Sequence, residues 1–343
     1  MYQEFYNLKQ DPFRLTPDPR FLYLTAQHRE ALSGLIYSVM SRPGLTLLVG
    51  EAGTGKTTLL YTLRALLEKR QACVALCVNP TLSTDEFYDF LLAKIGAISP
   101  SSSKSQQLMA LEKTLLKNQA EKKLTILVID EAHQLPLELL EEVRLLLNLE
   151  TPQEKLLEII MAGQPELSEV FRLPALRQLK QRVSYVCKLK SLSAGELREY
   201  IHHRLHCAGG TDTALFPDAT IRAIFRYTSG IPRLVNTICD NALQIGFALQ
   251  SREITGSIVE EAATDLELIP FPPPAEAAPN NNKKAGAVGL FPSAATPHPA
   301  APAPARGLGL ASELTPPRRM PLESYSDRQK SLGFLAGLME LWR

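Results

Sequence analysis

Between Leu45 and Leu189 short β-rich runs alternate with stretches where apolar residues recur every third or fourth position. The runs predict β-strands at 45–49, 72–78, 124–129, 157–162 and 184–189. The helical spacing between them predicts helices over 56–69, 84–96, 105–120, 136–148 and 166–181. Strand–helix alternation of this kind implies an α/β fold, a parallel sheet covered on both faces. Residues 1–44 form a lead-in with turn chemistry at Asp11-Pro12-Phe13 and Thr16-Pro17-Asp18-Pro19, then a helical pattern from His28 to Met40. From 193 the strand runs cease. Helical patterns cover 194–207, 217–228, 233–249 and 255–267, with Gly209-Gly210 and Gly230-Ile231-Pro232 as breaks.

After Leu268 the pattern changes again. Thirteen of the chain's 25 prolines lie between Pro270 and Pro321, among Ala, Asn and Gly. Such a segment buries too little apolar surface to offset its ordering entropy and is expected to be a disordered Pro-rich linker. The final stretch, Tyr325–Arg343, returns to helical spacing, with Leu332, Leu335, Leu338, Met339 and Trp342 on one face. A short C-terminal amphipathic helix of this kind can dock on the core, grip a partner or lie on a membrane surface. The expected organisation is therefore a lead-in (1–44), an α/β core (45–190), a helical lid (191–268), a linker (269–324) and an amphipathic tail (325–343).

Composition narrows the function classes. The chain has 343 residues, enough for two to three domains, and a formal net charge of +1. Residues 1–270 carry 29 basic and 31 acidic side chains, so no global basic field argues for nucleic acid. The five cysteines are scattered through apolar segments, and Cys73 and Cys77 lack a second pair at zinc-finger spacing; buried thiols in a reducing compartment are expected. The sequence shows neither a signal-peptide pattern at Met1-Tyr2-Gln3-Glu4 nor an apolar run long enough for a membrane span. A cytoplasmic protein, peripheral to the inner membrane at most, is expected.

The chemistry concentrates at the ends of the strand runs. Gly50-Glu51-Ala52-Gly53-Thr54-Gly55-Lys56-Thr57 follows the run 45–49 and fits the phosphate-loop pattern G-x-x-x-x-G-K-[ST]. Glycines there let backbone amides approach phosphate oxygens, and a following helix adds its positive N-terminal end. Residues Gly50 to Thr58 are the candidate nucleotide contacts, with Lys56 directed at the β- and γ-phosphates and Thr57 at Mg²⁺. The run Ile126–Ile129 ends in Asp130-Glu131, where open α/β sheets place ligands. Asp130 is suited to hold Mg²⁺ and Glu131 to polarise the attacking water. The expected cofactors are ATP and Mg²⁺.

Further positions are candidates. Gln164 ends the run 157–162 and is placed either to contact the γ-phosphate or to satisfy loop backbone. Arg177, Lys180 and Arg182 form either a solvated basic face or, at Arg182 foremost, a finger reaching a neighbour's ATP site. Arg233, after Gly230-Ile231-Pro232, is either a surface arginine or a residue that swings over the phosphates. Asp130-Glu131-Ala132-His133 also spells the tetrapeptide of some helicases, but those need two tandem motor domains; His133 is read as a hydrogen-bonding or coupling residue. His202, His203 and His206 share a helix without the acidic residue of a metal motif, and a packed or solvated face is expected.

In this order the motifs resemble the P-loop NTPases of the AAA+ ATPase family, and within it the general secretion pathway protein A (ExeA-like) group. The resemblance spans about residues 1–268. It rests also on Phe5-Tyr6-x-Leu8, on Pro12-Phe13-x-Leu15-Thr16-Pro17-Asp18-Pro19-Arg20-Phe21-Leu22-Tyr23, and on His28-x-Glu30-Ala31-Leu32. Leu147-Asn148-Leu149-Glu150-Thr151 and Ala162-Gly163-Gln164-Pro165-Glu166-Leu167 complete it. The resemblance implies a five-stranded parallel sheet in order 5-1-4-3-2 with a helical lid subdomain. It implies that Phe13–His28 borders the adenine, and that Glu131, Gln164, Arg182 and Arg233 act in hydrolysis within a homo-oligomer. Secretion-type members continue through a membrane helix into a peptidoglycan-binding domain. This sequence instead continues into the Pro-rich linker and tail, so a different envelope or polysaccharide-export system is expected. The expected function is ATP hydrolysis driving assembly or regulation of a bacterial secretion, pilus or exopolysaccharide apparatus, with a protein partner. A DNA-associated ATPase of the transposition-regulator type is the alternative, disfavoured by the missing basic stripe.

Overall fold

The computed structural model describes residues 2–16, 18–78, 80–98, 103–210 and 214–271. From position 272 on, the expected linker and amphipathic tail lie outside the described residues. Five strands, β1 (Leu45–Gly50), β2 (Cys73–Cys77), β3 (Thr125–Ile129), β4 (Glu158–Gly163) and β5 (Val183–Leu189), form one sheet in the order β2-β3-β4-β1-β5. Every pairing is parallel, with Leu48 opposite Ala162 and Leu127 opposite Ile159. The order matches that implied by the resemblance.

The residues of β1, β3 and β4 are all buried, which explains their largely apolar runs. Alternate side chains serve opposite faces. Leu45, Leu47, Val49, Leu127, Ile129, Ile159 and Met161 pack against α4 (Thr84–Lys94), α5 (Lys104–Ala120) and α6 (Leu137–Leu146). Leu48, Ile126, Val128, Ile160 and Ala162 face α2 (Ala26–Ser41) and α3 (Lys56–Lys69), which follow α1 (Tyr2–Phe5) in the chain. α4 starts where expected because Ser83 and Glu86 form a reciprocal capping box.

The helix expected over 166–181 is broken. α7 (Glu166–Val170) and α8 (Arg177–Gln181) are separated by a short 3₁₀ turn that begins at Pro174. Leu173, ahead of that proline, is extended (ψ 135°), as the steric demand of the following ring requires. Leu167, Phe171, Leu176 and Leu179 are nevertheless all buried, so the apolar spacing survived the break.

The last four helices, α9 (Ala194–Cys207), α10 (Asp218–Thr228), α11 (Pro232–Ala248) and α12 (Gly256–Asp265), pack around a separate apolar cluster. The lead-in joins that cluster: Tyr6, Leu8, Phe13 and Phe21 are buried in it. Arg204 on α9 secures the junction, donating to the carbonyls of Pro12 (2.5 Å) and Arg14 (3.1 Å) while its guanidinium lies over the Phe21 ring. A buried guanidinium is tolerated here because backbone oxygens, Tyr200 and an aromatic face surround it.

Candidate active site

The phosphate-loop segment turns between β1 and α3. Gly53 (φ +78°) and Gly55 (φ +96°) are left-handed, a conformation costly for other residues. Gly50 is demanded by space instead, since a Cβ there would lie 2.8 Å from the Leu189 carbonyl. Thr54 closes the turn, its hydroxyl donating to the Glu51 carbonyl at 2.8 Å. Lys56 is buried, its ammonium held by the carbonyls of Gly50 (2.7 Å) and Glu51 (3.0 Å). Burial lowers its proton affinity, and the carboxylates of Glu131 and Asp130 oppose that loss. A buried ammonium facing glycine-lined space at a helix N-terminus is chemistry that fits a polyphosphate.

Asp130 is buried at the end of β3, anchored by its N–H to the Cys77 carbonyl of β2 at 2.8 Å. One of its carboxylate oxygens accepts from the Thr57 hydroxyl at 2.6 Å; the other caps the Glu131 N–H at 2.9 Å. Two hard oxygen donors, brought together from α3 and β3, are of the kind that would hold Mg²⁺. Glu131 follows with φ +51°, strained for a non-glycine residue.

His133 lies between Glu131 and the end of β4. Its Nδ1 lies 3.6 Å from a Glu131 carboxylate oxygen, and its Nε2 lies 3.2 Å from the Gln164 side-chain amide. Gly163 gives the room, since a Cβ there would press on the His133 backbone nitrogen at 3.3 Å.

Arg233 arrives from the helical cluster. Its backbone N–H donates to the Gly53 carbonyl at 3.2 Å, and a Cβ on Gly53 would lie 2.7 Å from the Arg233 Cβ. The structure therefore brings together the 50–57 loop, Asp130, Glu131, Gln164 through His133, and Arg233. Arg182 is apart from them. Exposed and just before β5, it donates to Asn148 Oδ1 (2.8 Å) and more weakly to the Leu147 carbonyl (3.5 Å). Arg177 and Lys180 are exposed on α8. Sequence reasoning overlooked Asn148 as a holder of Arg182 and His28 as a contact of the loop; neither residue type carries in sequence a sign of what it touches.

A family model described as an AAA domain matches residues 39–171. The general secretion pathway protein A of Aeromonas hydrophila is 38% identical over 272 residues, which are 78% of this chain and 48% of that protein. The chain thus spans about half the length of that relative. Among solved structures, the Cdc6p of Pyrobaculum aerophilum superposes with a TM-score of 0.59 at 16% identity, covering 75% of this chain and 71% of that one. The ORC2 protein of Aeropyrum pernix, in ADPNP–ADP complexes, gives 0.57 at 15% identity, covering 77% and 73%. At such identities these two likenesses speak to the fold alone.

Proposed function

Because the chain belongs to the AAA+ ATPases, in the general secretion pathway protein A family, we propose that it hydrolyses ATP to drive assembly of a bacterial secretion, pilus or exopolysaccharide apparatus. The observation that carries the chemistry is the 2.6 Å contact between Thr57 and buried Asp130, beside Lys56 and Glu131. Lys56 and the loop amides from Gly50 to Thr58 bind the phosphates, and Thr57 with Asp130 would hold Mg²⁺. Mg²⁺, when bound, neutralises charge on the phosphate oxygens. Glu131 accepts the proton of the attacking water. His133 fixes the direction of Gln164, and Arg233 brings the helical subdomain over the loop. No described helix is long and apolar enough to cross a membrane.

Arg182 serves a neighbour in this reading. It precedes β5, whereas the loop follows β1, and the two strands are parallel with Gly50 opposite Leu189. The length of β5 at about 3.3 Å per residue separates Arg182 from its own loop by roughly 20 Å. One arginine side chain cannot span that, so the subunits must form an oligomer for Arg182 to act.

Steady-state ATPase of Lys56→Ala and Glu131→Gln tests the chemistry; wild-type turnover in either contradicts the assignment. Mixing Arg182→Ala with Glu131→Gln subunits tests the shared site, because some mixed interfaces regain a complete set. Activity above both pure variants is expected, and no recovery at any ratio would remove the finger.

A further inference from the structure

His28 lies in the first turn of α2 and is 4% exposed, yet it is a polar residue facing the phosphate loop. Its Nε2 is 3.2 Å from the Thr54 carbonyl, and its Nδ1 is 2.7 Å from the Thr25 hydroxyl. The Thr25 hydroxyl oxygen also accepts the His28 backbone N–H, capping α2.

The hydrogen-bond bookkeeping then selects one tautomer. A carbonyl can only accept, so Nε2 carries the proton. In the neutral ring Nδ1 is the acceptor and takes the Thr25 O–H. Burial favours the neutral ring, lowering its proton affinity below the usual histidine value. Every polar atom of His28 and Thr25 side chains is thereby used.

The consequence falls on the next peptide unit. In a trans peptide the carbonyl and the following N–H point in opposite directions, and no described peptide bond is cis. Holding the Thr54 carbonyl toward α2 turns the Gly55 N–H away from α2, toward the opposite side of the loop. Gly55 leaves space for the ring: a Cβ there would lie 3.4 Å from Nε2, and its left-handed φ of +96° excludes most side chains.

We infer that His28 is a positioning residue of the nucleotide site, its Nε2–H holding the Thr54 carbonyl so that the Gly55 N–H is aimed at phosphate. The inference rests on the ATP-binding reading and names what preorganises the loop for it. Thr25 acts behind His28 by fixing the tautomer.

The experiment compares full-length unaltered protein, His28→Gln and His28→Asn in titrations with a fluorescent N-methylanthraniloyl-ADP and Mg²⁺. A Gln amide nitrogen can reach the position of Nε2, whereas the shorter Asn amide stops near Nδ1. His28→Asn is expected to weaken binding about tenfold, and His28→Gln to recover most of it. Equal affinity in all three, or equal loss in both variants, would overturn the inference. Absence of binding by the unaltered protein would instead remove the nucleotide reading itself. A second measurement needs no variant and no nucleotide: ¹⁵N spectra of the imidazole should show His28 as a neutral Nε2–H ring. An Nδ1–H or doubly protonated ring near neutral pH would overturn the inference even if both variants failed to fold.

Discussion

Glu158 offers a test of the fold whose size follows from its position. It opens β4, at the end of the sheet remote from the phosphate loop, and is 4% exposed. Both carboxylate oxygens face the Gly44 N–H, at 2.9 and 3.1 Å. Burial pushes its pKa from 4.5 up to about 7, against the opposing pull of the Gly44 N–H, Arg42 and Lys155. Between those two values the folded protein holds a proton that the unfolded chain has released. Stability from this group is therefore complete below pH 4.5 and is lost as pH rises through 7. At about 1.36 kcal/mol per tenfold change in proton affinity, the loss approaches about 3 kcal/mol. That is a large part of the 5–15 kcal/mol typical of a folded domain. Glu158→Gln keeps an acceptor for Gly44 and cannot titrate. Urea unfolding of both proteins at pH 5 and pH 8 isolates the effect, because other titrating groups cancel in the difference of differences. The unaltered protein should lose about 2–3 kcal/mol more than the variant on going to pH 8. Parallel pH dependences would refute the reasoning.

Gly230→Ala should disrupt the entry to α11, since φ is +72° and a Cβ would sit 1.9 Å from the Leu192 carbonyl. A loss of about 3 kcal/mol or more is expected in denaturant melts, and an unchanged midpoint would contradict the close approach of these two segments. His133→Ala should lower kcat at least tenfold while leaving nucleotide affinity within about threefold, because it removes the link between Glu131 and Gln164 without touching the phosphate loop; a change confined to affinity would count against that role. Glu142→Ala strips partners from the Tyr88 hydroxyl (2.8 Å) and the Lys104 ammonium (2.6 Å), so a cost of about 2–3 kcal/mol should appear in the same melts. His28 titrates with the opposite sign to Glu158: its folded proton affinity is depressed, so its contribution is present above the unfolded value and is lost as pH falls. His28→Gln should therefore flatten the acid limb of the stability profile, and an unaltered acid limb would show that the ring is not buried neutral.

The sheet was legible because each strand is a local event. A strand buried on both faces is mostly apolar, as β1 and β3 are apart from Thr46 and Thr125, and nothing remote is needed to see it. The break at Pro174 was overlooked for the converse reason. Leu167, Phe171, Leu176 and Leu179 keep helical spacing because they meet one core surface, and the spacing masked the proline that interrupts the backbone.

The same distinction separates the motifs from their supports. Gly50–Thr57 and Asp130-Glu131 announce themselves because phosphate and metal chemistry impose residue types on consecutive positions. Other contacts join residues far apart in sequence: His28 to Thr54, His133 to Gln164 and Asn148 to Arg182. A histidine or an asparagine in isolation has many uses, and only the folded neighbourhood selects one. Topology then decides what even a recognised residue can do. Arg182 is one arginine among several until the parallel pairing of β5 with β1 puts it at the far end of the sheet from its own phosphate loop. From there one arginine side chain does not reach that loop, and its guanidinium donates instead to Asn148 at the surface.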